Sequence, residues 1–131
     1  MIYALWIMDK DGKNIFFNSY EGEIKDNYKM VSGLLAAIKT FTKDVSGEET
    51  SWIILEDKTF VYKAIGEGYF ILYVSEGEKV DDVFDELEEA CLTAEGKEEL
   101  AKKVNEVIVR YNKRRRLDKL DEILRRVGGL P

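Results

Sequence analysis

The sequence predicts a single α/β domain of the α+β kind, with short antiparallel strands joined by tight turns and packed against amphipathic helices. Three observations carry this. Residues 2–8 form an unbroken apolar, β-branched and aromatic run; short turn-like separators cut residues 51–74 into three further strand-length runs; and helical spacing appears over residues 26–47, 79–94 and 95–127. At 131 residues and 45% hydrophobic content, the chain has the size of one domain and enough apolar material for a core.

The first run, Ile-Tyr-Ala-Leu-Trp-Ile-Met, lacks the alternation of a half-exposed strand, which predicts a central strand covered on both faces. Asp11-Gly12 supplies a hairpin turn, because glycine accepts the positive φ that tight hairpins need, and residues 14–20 return as a second strand. Over residues 26–47, Val31, Leu34, Leu35, Ile38, Phe41 and Val45 gather on one helical face, with Gly47 as the stop. Gly33 within that stretch costs roughly 1 kcal/mol of helix propensity, tolerable where a helix lies close to a sheet. Residues 51–55, 59–65 and 69–74 then read as an antiparallel meander, turned by Glu56-Asp57-Lys58 and Gly66-Glu67-Gly68.

Over residues 79–94, Val80, Val83, Phe84, Leu87, Ala90 and Cys91 point inward and the acids outward. The last helical stretch carries two stripes, Leu100, Val104, Val107, Ile108 and Tyr111, then Leu117, Leu120, Leu124 and Val127. They are out of phase, since a step of seven from Tyr111 lands on Asp118 and not Leu117. Arg114-Arg115-Arg116 marks the seam. Either the helix breaks there, or its second half aims its apolar face away from the core of the first. The organisation expected is a domain over residues 1–111 and a basic amphipathic extension over residues 112–131.

Charge is divided in the same way. Residues 1–94 hold 9 Lys and no Arg against 19 acids, while residues 95–131 hold 11 basic residues against 7 acids, within an overall net charge of −6. An acidic body argues against nonspecific nucleic-acid binding, which needs a basic face to neutralise phosphates. The single cysteine, Cys91, allows no intramolecular disulfide or thiolate metal cluster, fits a reducing, cytoplasmic setting, and is expected as a buried structural residue. The run at residues 2–8 is too short for a membrane span and lacks the flanks of a signal peptide. Absence of Gln and His with abundant Glu and Lys is a balance associated with hot environments.

Without histidine, the commonest general base and metal ligand is absent and serine or cysteine triads built on it are excluded, and no enzyme, cofactor or metal role is expected. Asp81, Asp82, Asp85, Glu86, Glu88 and Glu89 are dense enough for paired-carboxylate chemistry, yet they read better as the solvated face of a helix. No phosphate-cradling Gly-x-x-x-x-Gly-Lys is present, and Gly66-Glu67-Gly68 lacks the following helix of a dinucleotide site. The sharpest feature is the seam itself. Arg114, Arg115, Arg116, Leu117, Leu120 and Leu124 are the expected partner-binding residues, because an amphipathic segment needs a surface to cover its apolar face. That surface is a partner chain or the acidic body of the same chain.

The order strand-strand-helix-strand-strand-strand-helix-helix, opening on Ile-Tyr-Ala-Leu-Trp-Ile-Met and Asp-Lys-Asp-Gly, resembles the longin domains. Met30 to Ile38 with Phe41 is similar to the first helices of longin-like and roadblock proteins of archaea. The resemblance covers residues 1–111 and implies a five-stranded antiparallel sheet in the order 2-1-5-4-3, with the first helix on one face and the later helices on the other. It also implies a non-enzymatic platform that dimerises, binds small Ras-like GTPases or joins trafficking and regulatory assemblies. Roadblock domains begin with a helix that this chain lacks, and the Arg-rich second half of the last helix exceeds a minimal longin domain. Self-association through a sheet edge or the first helix is expected on this basis. The alternative is a PAS-like small-molecule sensor, with a cavity lined by Trp6, Tyr62 or Tyr73.

Overall fold

A computed structural model describes residues 1–9, 11, 13–20, 51–55, 58–66 and 68–128. The helix expected over residues 26–47 lies outside them, as do Gly12, Glu56, Asp57 and Glu67.

Five strands, β1 (Ile2–Asp9), β2 (Asn14–Ser19), β3 (Ser51–Leu55), β4 (Lys58–Ile65) and β5 (Gly68–Val74), form one sheet in the order β2-β1-β5-β4-β3. Every neighbouring pair is antiparallel. The unbroken apolar run of β1 has the placement its composition demands, between β2 and β5 and buried on both faces from Ala4 to Met8. Its hairpin to β2 is organised by a side chain, as the Asp9 carboxylate accepts from the backbone N–H of Asp11 at 2.9 Å and of Lys13 at 2.8 Å. Gly68 opens β5 where a Cβ would lie 2.3 Å from the Met8 carbonyl oxygen, so only glycine admits this approach to β1.

Two helices follow, α1 (Asp81–Thr93) and α2 (Lys97–Val127), joined by a short turn in which Gly96 takes φ 104°. They pack on one face of the sheet. Val83, Phe84 and Leu87 of α1 and Val104, Val107 and Ile108 of α2 join Ile2, Leu5, Ile7, Val61, Phe70, Leu72 and Val74 in one cluster. The opposite face carries a second buried cluster of Ala4, Trp6, Met8, Ile53, Phe60, Tyr62 and Ile71. Phe60 bridges its aromatic neighbours, with ring centroids 6.1 Å from Trp6 and 5.2 Å from Tyr73.

The acids of α1 point to water as its period requires, apart from the half-buried Glu88. Cys91 is half-buried against the helix-side cluster, not fully enclosed, and burial, then the nearby Glu88 charge, pushes its thiol pKa up. It is a weak nucleophile in this setting. No helix among the described residues is long and apolar enough to cross a membrane.

Candidate protein-binding surface

The surface begins where α2 leaves the sheet. Val104 and Ile108 are fully buried, and the next residue at that four-residue step is Asn112, also buried. Ile2 and Val74 pair directly, but the register between β1 and β5 shifts before Ala4 meets Tyr73, leaving Tyr3 as a bulge. Asn112 fills the gap this leaves in the ladder. Its Oδ1 accepts from the Ile2 N–H and its Nδ2 donates to the Ile2 carbonyl, both at 2.8 Å, so one amide satisfies two buried backbone groups. On the β2 side, Asn105 Oδ1 accepts from Asn18 Nδ2 at 3.0 Å and from the Tyr20 hydroxyl at 2.5 Å. Burial raises the Tyr20 pKa to about 12 against a smaller opposing effect of Asn18.

One turn further, Glu78 gathers the remaining charge at the junction. Its side chain is nearly buried and takes the Met1 ammonium at 2.5 Å, the Tyr111 hydroxyl and the Arg115 Nε at 3.2 Å. Ser75 Oγ accepts from the same ammonium at 2.8 Å. Burial alone would raise the Glu78 pKa, but the bonds from the ammonium and Tyr111 and the charges of the ammonium and Arg115 outweigh it, leaving the carboxyl at about 2. The Tyr111 hydroxyl is raised in turn, by burial and then by Glu78. Contact between α2 and the body therefore runs through Arg115, past residue 111.

Beyond Arg115 the helix continues unbroken to Val127 with every residue exposed. Of the two outcomes the phase slip allows, the backbone takes the second. No glycine or proline interrupts residues 97–127, and ion pairs of Asp121 with Arg125 (3.2 Å) and Glu122 with Arg126 (2.9 Å) support the exposed turns. Leu117, Leu120, Leu124 and Val127 are spaced three, four and three apart, and each is 51–57% exposed. Ile123 flanks them at 47% and belongs to the same face. At 100° per residue, Leu117, Leu120 and Leu124 lie roughly 120–180° around the axis from Ile108. The stripe therefore faces away from the side by which α2 rests on its own body.

The expected partner-binding residues divide accordingly. Leu117, Leu120 and Leu124 share one face, with Arg114 and Arg116 on its flanks, whereas Arg115 turns back to Glu78. Sequence reasoning missed Ile123, which is legible as the neighbour of Leu124 on a helical wheel. It also missed Glu78 and Asn112. Asn112 has a signal in sequence, being a polar residue at the next core position after Val104 and Ile108. Glu78 has none, since it lies in a loop before α1.

A groove of about 490 Å³ opens at this junction, lined by Met1, Tyr3, Ser75, Arg115, Lys119 and Glu122 among others, and a second of about 330 Å³ adjoins it at Gly77, Lys79 and Tyr111. Their walls mix apolar and polar surface and carry charges of both signs, Glu76, Glu78, Asp118 and Glu122 against Arg115, Arg116 and Lys119. Trp6, Tyr62 and Tyr73, the expected lining of a ligand cavity, border neither groove. Among the described residues, no three His, Cys, Asp or Glu side chains converge as a metal site would require. A second exposed apolar patch is formed by Trp52 and Ile54 on the edge strand β3.

In comparison with known proteins, no protein-family model and no curated protein matches the chain.

Proposed function

We propose that this chain is a non-enzymatic protein–protein interaction scaffold of longin-like type, and that its contact element is the projecting half of α2. The observation that carries the reading is the stripe of Leu117, Leu120, Ile123, Leu124 and Val127, presented to water on a continuous helix. Burying an exposed leucine gains about 1.5–3 kcal/mol, so a row of five half-exposed side chains on a preformed helix is a ready docking face. The sheet order β2-β1-β5-β4-β3 supports the longin-like part of the reading. Partners of the kind that resemblance implies are a small Ras-like GTPase or a second copy of the chain.

The test is a photo-reactive amino acid at position 120 of the full chain, expressed in its native cells, with the exposed position 102 as control. Protein adducts at 120 that are absent at 102 are expected. Equal adducts at both positions, or none at 120, would refute the contact element.

A further inference from the structure

We draw no further inference here: the strongest candidate, the exposed apolar stripe of Leu117, Leu120, Leu124 and Val127 on the projecting half of α2, already belongs to the contact element described above, and nothing in the structure shows what covers it.

Discussion

Residues 97–112 and 113–127 belong to one uninterrupted helix, yet the first half packs on the sheet through buried Val104, Val107, Ile108 and Asn112, whereas every residue of the second is exposed. The difference lies in side chains and not in backbone. Both halves are built from good helix formers, but the first carries Val104, Val107 and Ile108 toward the sheet, whereas the second rotates its apolar residues to the far side. A helix can thus serve two faces in succession, with continuity set by the hydrogen-bond ladder and orientation set residue by residue.

Folding energy should divide along the same line. The largest effect is expected from Phe84→Ala, which empties the cluster beneath the first half of α2 and should destabilise the chain by about 3–5 kcal/mol in urea denaturation. A loss under 1 kcal/mol would mean that the helix layer is not part of the cooperative core. Next comes Asn112→Ala, which strands the Ile2 N–H and carbonyl and should cost about 2–3 kcal/mol. Recovery of that cost by any apolar residue of similar size would show that volume at position 112, and not hydrogen bonding, joins helix to sheet.

Acid should probe the charged part of the junction. The Glu78 carboxyl is ordinarily at 4.5 and lies at about 2 in the fold, so its contribution is complete above pH 4.5 and disappears as pH falls toward 2. Over that window the intact chain should lose about 2 kcal/mol more than Glu78→Gln, and parallel acid limbs for the two would contradict the bonding around Glu78. The smallest effect belongs to the projecting half. Leu120→Ala should alter the stability of the monomer by less than about 0.5 kcal/mol, measured in dilute solution. A larger loss there would erase the distinction between the two halves.

Much of the fold is legible in the sequence. The central position of β1 follows from its lack of alternation, the meander from its short separators, and the inward face of α1 from the spacing of Val83, Phe84, Leu87 and Ala90. The phase slip at Arg114–Arg116 was visible too, but period alone does not distinguish a broken helix from one that turns its stripe outward. That choice depends on tertiary anchoring by Asn112 and Arg115, whose partners Ile2 and Glu78 are 110 and 37 residues away in sequence. Such contacts between distant polar groups leave no periodic trace. The hairpin shows the same limit at short range, where Asp9 organises a turn that composition assigns to Asp11-Gly12.

The paired bonds between Asn112 and Ile2 have a geometric consequence, for they act as a key in a slot. Sliding α2 along its axis or rolling it about that axis would break both bonds together, so the sheet fixes the azimuth of everything downstream. Leu117 follows five residues later, and each residue of spacing is worth about 100° of heading. One residue added between them would swing the stripe from the outer side of the molecule toward a flank, whereas seven would return it to nearly the same bearing about 10 Å farther out. The count of residues from Asn112 to Leu117 is thus a dial that sets the direction in which this domain presents its hydrophobic edge.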